Sequence, residues 1–247
     1  MAPEQKEWFE EWFDSPYYPL LYKHRTAAEA EAFVTKLMQH MNIPTTSFVA
    51  DVACGQGRYA KQLSKYAAKV IGFDLSEPRI AIAKEKYENE KVQFYVHDMR
   101  TPMHVNYFDY MFNFFTSFGY FNTYRDHKNA AQSLANALKP GGLLVVDYFN
   151  SFVTKANLVA EETKTEEDIT FNIKRYVENG KIVKSIQFID NEGRSQQHYE
   201  RVSDVSMEDF KALFESVGLT LVNTFGDYEL NTFDIKSSPR LVMTFKK

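Results

Sequence analysis

A single cysteine, Cys54, stands in 247 residues, which rules out an intramolecular disulfide framework and any multi-cysteine metal site and fits a reducing compartment. No stretch approaches the ~18 consecutive apolar residues of a membrane span. Met1–Leu20 is acidic and aromatic, without the basic start and apolar run of a signal peptide. A basic block is also missing: the net charge of −4 comes from interspersed signs, which argues against a nucleic-acid backbone as partner. No basic-faced helix of the membrane-surface kind is visible. Internal repeats and low-complexity tracts are absent as well. The expectation is a cytoplasmic protein that binds neither nucleic acid nor membrane, its oligomeric state open, with a homodimer among the options. In excess are aromatics, 21 Phe and 15 Tyr, more than a core of this size needs, which points to an aromatic-lined pocket.

Trp8, Phe9, Trp12 and Phe13 follow helical spacing within Glu4–Asp14, and Ser15-Pro16 breaks the pattern, so this stretch reads as a covering helix. Thr26–Met41 reads as a second helix, with Thr26 as N-cap and Glu29 as capping-box partner. After Pro44 strands at 48–53, 69–73, 92–96, 107–114 and 143–149 alternate with helices at 58–66, 79–87 and 125–138. Such alternation predicts an α/β fold: a Rossmann-like, mostly parallel seven-stranded sheet with helices on both faces. Beyond Asn150 three strand-like runs at 169–177, 182–190 and 196–202, joined at Asn179-Gly180 and Asn191–Gly193, predict an inserted antiparallel β meander. Ser206, with Asp209 three residues on, caps a last helix stopped by Gly218, and strands at 220–225 and 240–245 close the chain as a hairpin. The expected division is 1–150 with 205–247 as one Rossmann-like domain, 1–44 as its helical lid, and 151–204 as a substrate-side subdomain.

The chemistry begins at Phe48–Ala60, where an apolar run holding one acid ends in Gly55 and Gly57 before a helix. Glycines there let bare backbone approach a ligand, and the first N–H groups of the helix face it. By itself this loop also fits the dinucleotide fingerprint. Two further acids, Asp74 and Asp98, close the next two strands at the carboxyl edge where open α/β sheets bind ligands. A carboxylate at Asp74 can take both hydroxyls of a ribose, and Asp98 is in reach of an adenine amino group. Asp51, inside the first strand, would repel a pyrophosphate but could orient the ammonium of an amino-acid tail, directly or through water, which favours S-adenosylmethionine over NAD.

The ordered series Asp51–Gly57, Gly72–Ser76, His97–Met99, Phe108–Tyr110 and Leu138–Gly142 resembles that of the class I S-adenosylmethionine-dependent methyltransferases, over about Phe48–Phe149. The resemblance implies a methyl transfer from S-adenosylmethionine, leaving S-adenosylhomocysteine, to a nitrogen or oxygen of a small-molecule metabolite, with no metal. It implies that Asp51, Ala53, Cys54, Gly55 and Gly57 surround the methionine portion, Asp74, Leu75 and Ser76 the ribose and adenine, and His97, Asp98 and Met99 the adenine edge. Asn113 to Thr116 would run beneath the sulfonium and face the substrate, with Asn113 and Phe114 on the cofactor. Cys54 is expected to pack, not to react. Tyr17, Tyr22 and Arg25 of the segment Ser15–Arg25, similar to one that folds over the cofactor in small-molecule members, would complete the donor site, Arg25 as a carboxylate fork. An insertion after the fifth strand resembles those of small-molecule N-methyltransferases, including enzymes acting on amino sugars. Phe115, Phe118, Tyr120, Tyr148 and Asn150 would wall the acceptor pocket, with Arg175, Tyr199 and Arg201 facing either it or solvent. Strand alternation sets His198 and Glu200 opposite Tyr199 and Arg201, with the inward face unassigned. His24, His198 and Tyr17 are the candidate catalytic groups. A non-catalytic S-adenosylmethionine or S-adenosylhomocysteine binding module and an NAD-dependent oxidoreductase are the competing readings.

Overall fold

The computed structural model describes residues 7–23 and 27–247. The proposed cap Thr26 and the candidates His24 and Arg25 lie outside the described residues. Two short helices, α1 (Trp8–Asp14) and α2 (Tyr17–Leu21), precede α3 (Ala27–Met41). The alternating region follows as β1 (Phe48–Val52), α4 (Arg58–Leu63), β2 (Lys69–Asp74), α5 (Glu77–Tyr87), β3 (Val92–Val96), β4 (Phe108–Asn113), α6 (Tyr124–Ala137) and β5 (Leu138–Phe149). Helix α7 (Ser151–Ala156) leads into β6 (Glu161–Glu166), β7 (Ile169–Glu178), β8 (Lys181–Ile189) and β9 (Ser195–Ser203). The chain ends with α8 (Met207–Glu215), β10 (Thr220–Phe225) and β11 (Arg240–Lys246).

Seven strands pair in the order β10-β11-β5-β4-β1-β2-β3, with β11 antiparallel to both of its neighbours. The order reverses beside β1, which pairs in parallel with β2 on one side and β4 on the other. A crevice therefore opens at the carboxyl ends of β1 and β4. Side chains alternate through the sheet: Ala50 and Val52 join a core beneath α6 and α8, whereas Val49 joins the opposite core beneath α3, α4 and α5.

Helix ends follow local chemistry. Ser76 Oγ accepts the Arg79 N–H at 3.2 Å, and Pro78 sits in the first turn where its missing N–H costs nothing, so α5 begins before Arg79. Ser206 and Asp209 form the expected capping box of α8. Strand β5 starts at Leu138, five residues earlier than the apolar run, because a register shift opposite Phe108–Tyr110 absorbs Pro140-Gly141.

The meander has a fourth strand that sequence does not announce. β6 reads Glu-Glu-Thr-Lys-Thr-Glu, an edge strand whose polar side chains carry no alternation, and it pairs with β7. Ile169, Phe171 and Ile173 of β7 and Ile186 and Phe188 of β8 pack against Trp12 and Leu21, forming a third core between the small sheet and α1–α2. Tyr148 belongs to the interior as well: it is fully buried and donates to the Ser203 carbonyl at 2.6 Å, tying β5 to the end of β9. A Tyr148→Phe variant removes this bond from a half-buried carbonyl that still accepts the Val205 N–H at 3.1 Å, at a cost of about 0.5–1.5 kcal/mol. Thermal unfolding should show a Tm lowered by roughly 1–6 °C, with S-adenosylhomocysteine affinity unchanged. No helix among the described residues is long and apolar enough to cross a membrane.

Candidate active site

A cleft of about 890 Å³ lies at the carboxyl ends of β1, β2 and β4, roofed by α1 and α2. Its floor is the glycine loop. Ala53 and Gly55 take left-handed φ values of 58° and 54°, and Gly57 takes 79° at the N-terminus of α4. A side chain at Gly57 would lie 2.7 Å from the Phe94 ring, so close packing as well as conformation requires glycine there. Cys54 is buried beside the loop, where burial pushes its thiol well above the ordinary range, as a packing residue requires.

Asp74 closes the loop. Its Oδ2 accepts the Gly55 N–H at 2.7 Å and its Oδ1 accepts the Ser76 N–H at 2.9 Å, leaving acceptor capacity on both oxygens. Asp98, two residues past the end of β3, is gripped by Arg100, whose Nε lies 2.9 Å and Nη2 2.7 Å from Oδ2. Arg100 also reaches Glu7 at 2.8 Å, so the same guanidinium links the floor to the start of α1. Asp51 is 1 % exposed, its Oδ2 has no hydrogen-bond partner, and burial raises its pKa to about 8 from an ordinary 3.8. The Ala60 amide and the Arg58 charge act in the opposite direction without restoring it.

Tyr22, Ala53, Cys54, Gly55, Asp74, Leu75, Ser76, His97, Asp98, Met99, Phe114, Phe115 and Tyr120 are brought together in the cleft wall. Asp51, Gly57 and Asn113 stand behind it, Asn113 donating to the Val52 carbonyl at 2.9 Å and so joining β4 to β1 at the crevice. Other expected residues go elsewhere. Tyr17 packs on Phe188 of the small sheet, its ring centroid 4.8 Å away. Phe118 is buried against Phe210 and Phe214 of α8, because the short 3₁₀ turn at Ser117–Tyr120 presents it inward. Tyr148 fills the space that Gly119 leaves open. Asn150 caps α7 and donates to the Ile235 and Ser238 carbonyls at 2.8 and 2.9 Å. Arg175 pairs with Glu162 at 2.5 Å on the small sheet. Tyr199 and Arg201 pair with each other on the face of β9 away from α1, at 4.8 Å from guanidinium to ring.

The inward face of β9 is thus the one carrying His198 and Glu200. Trp12 donates its indole N–H to Glu200 at 2.8 Å, Tyr22 donates to the same oxygen, and Lys184 donates to the Tyr22 hydroxyl at 2.6 Å. His198 lies against the Trp12 ring at 4.7 Å and burial lowers its pKa. It packs, and does not line the cleft.

Two cleft residues, Arg58 and Arg79, carried weak sequence signals. Arg58 opens α4 directly after Gly57, its guanidinium 4.8 Å from the Tyr59 ring and 5.3 Å from Phe115. Arg79, three residues after the Ser76 cap, stands over Gly55 and stacks on Phe13 and Tyr18 at 5.6 and 5.0 Å, holding the roof down together with the Ser76–Asp14 hydrogen bond. Only their positions next to a loop glycine and a helix cap mark them in the sequence.

The class is set by what this arrangement matches. Residues 49–142 match the family model described as a methyltransferase domain. The solved S-adenosylmethionine-dependent methyltransferase from Clostridium acetobutylicum ATCC 824 superposes with a TM-score of 0.76 at 18 % identity, over 93 % of this chain and 95 % of that one. CalS10, an amino pentose methyltransferase from Micromonospora echinaspora solved with S-adenosylmethionine bound, gives 0.68 at 18 %, over 94 % and 97 %. In sequence, the dTDP-3-amino-3,4,6-trideoxy-alpha-D-glucopyranose N,N-dimethyltransferase of Streptomyces venezuelae is 24 % identical over 183 residues, 71 % of this chain and 76 % of that protein. Residues 49–142 thus carry a methyltransferase domain, and the chain as a whole has the fold of the S-adenosylmethionine-dependent methyltransferases. These matches lend nothing to the oxidoreductase or non-catalytic readings.

Proposed function

We propose that the enzyme methylates a nitrogen of a small polar metabolite in the roofed cleft, an oxygen being the second choice. The observation that carries the reading is the orphaned Asp51 Oδ2 behind a glycine cradle, with Asp74 at the next strand end, which fits an amino-acid tail and a ribose a short span apart. Asp51 would orient the ammonium, Asp74 would accept the ribose hydroxyls, and Leu75, Asp98 and Met99 would border the adenine. Bound there, S-adenosylmethionine supplies a methyl group already activated on a sulfonium, so transfer is an in-line displacement in which the protein's work is positioning and exclusion of water. Phe114 and Phe115 would wall the transfer point.

A nitrogen acceptor is supported by the roof, which offers Glu10 and Asp14 together with the Phe9, Phe13, Tyr18 and Tyr120 rings. Carboxylates and π-faces suit an amine that must shed its last proton before attack. Two of the relatives named above act on amino sugars by their descriptions. We read residues 1–150 with 205–247 as the donor-binding unit, 151–204 as the acceptor-side layer, and the cytoplasm as the place of action, since the lone cysteine fits a reducing compartment.

Calorimetric titration with S-adenosylmethionine, S-adenosylhomocysteine and NADH, followed by a methyl-donor assay over amines, amino sugars and phenols, tests the reading. Tight binding of both sulfur compounds and turnover of an amine are expected. Binding without turnover of any acceptor would favour the non-catalytic module, and a preference for NADH would sink the cofactor assignment.

A further inference from the structure

After β4 the backbone turns through two consecutive non-glycine residues in the left-handed region, Phe115 at φ 64° and Thr116 at φ 67°. Such a pair persists only when its surroundings over-determine it. Here the determinant is a polar brace from the two strands next in the sheet, β5 and β11. Asp147 of β5 has a fully buried side chain, and its Oδ2 accepts the Phe115 N–H at 2.9 Å and the Tyr228 hydroxyl at 3.0 Å. The Asp147 main-chain carbonyl accepts the Thr116 N–H, also at 2.9 Å. Its Oδ1 takes two donors from Arg240, Nε at 2.9 Å and Nη2 at 2.6 Å, and the same Nη2 lies 3.2 Å from Thr116 Oγ1.

Strand register explains the meeting. Asp147 pairs with Val242 across β5 and β11, so Arg240, two residues away, lies diagonally on the same face. Its guanidinium is 5.6 Å from the Phe115 ring and 5.5 Å from that of Tyr228. Arg240 does not border the cleft; Phe115 does. Three bonds of the brace end on the corner itself, at the Phe115 and Thr116 N–H groups and at Thr116 Oγ1, and Phe115 shares the cleft wall with Ala53.

We propose that Arg240, acting through Asp147 and Thr116, is a positioning residue that sets the Phe115 wall at the methyl-transfer point. A planar fork serves two acceptors at once, which a lysine ammonium on a single stem cannot match in direction. The inference rests on the donor site proposed above, with the sulfur end of the donor toward β4 and the adenosine toward β2.

The test compares S-adenosylmethionine with S-adenosylhomocysteine, which differ only at the methyl and its charge, by calorimetry. Arg240→Lys keeps a positive charge beside Asp147 and loses the fork. It is expected to change the ratio of the two dissociation constants at least fivefold while moving that of S-adenosylhomocysteine less than threefold. Adding Thr116→Gly, which takes the left-handed conformation without steric cost, should bring the ratio back within twofold of wild type. Parallel weakening of both ligands, no change in either, or no restoration by glycine would overturn the proposal and leave Arg240 a structural residue. Failure of the wild-type protein to bind either ligand would instead overturn the donor-site reading. Should Arg240→Lys fail to fold, Tyr228→Phe, which removes one bond to Asp147, is expected to move the ratio in the same sense, and an unmoved ratio would overturn the proposal.

Discussion

An Asp74→Ala variant is expected to bind S-adenosylhomocysteine about 30- to 100-fold more weakly, with a cooperative unfolding transition retained. Hydrogen bonds to a charged acceptor contribute about 1.5–3 kcal/mol each and 1.4 kcal/mol is a factor of ten, so the range corresponds to a net loss of about 2.1–2.8 kcal/mol, less than two full bonds because water in the open cleft replaces part of them. The variant also frees the Gly55 and Ser76 N–H groups, which now bond to Asp74. Both can turn to water in the open cleft, which is why the fold should survive. Asp74→Asn keeps one acceptor and should fall between the two proteins. Unchanged calorimetric affinity in Asp74→Ala would mean that the ribose does not sit at the end of β2.

Asp51 carries the second large effect, in pH. Its folded pKa of about 8 lies above the ordinary 3.8, so across that interval the folded chain holds a proton that the unfolded chain has released. Stability therefore falls as pH rises through the window and levels off above about pH 8, by up to roughly 1.4 kcal/mol per pH unit. Donor binding runs the other way: an ammonium beside Asp51 favours the carboxylate, so S-adenosylhomocysteine affinity should rise with pH, approaching tenfold per unit below pH 8. Asp51→Asn should flatten both profiles and bind the ligand about 100-fold more weakly at pH 8. Calorimetry and thermal melts between pH 5.5 and 8.5 measure the two slopes together. A pH-independent affinity in wild type would show that Asp51 does not meet the amine.

Much of the donor half was legible because its signals are local. Alternating strands and helices, glycines before α4, and acids at the ends of β1 to β3 are each written in a few adjacent residues. The acceptor half was less legible because burial there is decided at long range. Phe118 lies beside the cleft residues Ser117 and Tyr120 in sequence, and Tyr148 and Asn150 stand at the end of a sheet strand, yet α8 and the loop before β11 draw all three inward. No short-range pattern shows that. The face of β9 was undecidable from alternation alone until Trp12 and Tyr22 met Glu200. β6 escaped notice because a polar edge strand has no periodicity to read. The Arg240–Asp147 brace joins residues 93 positions apart, and only sheet register brings them together.

Helix α1 holds both tryptophans of the chain. Trp12 is wholly enclosed between Glu200 and His198, and Trp8 sits 5.2 Å from the Tyr120 ring at the cleft. The tryptophan fluorescence of the whole protein is therefore emitted from the roof of the active site. Ligand entry, acceptor docking and departure of the spent donor can each be followed by emission wavelength and quenching, in real time and without a label.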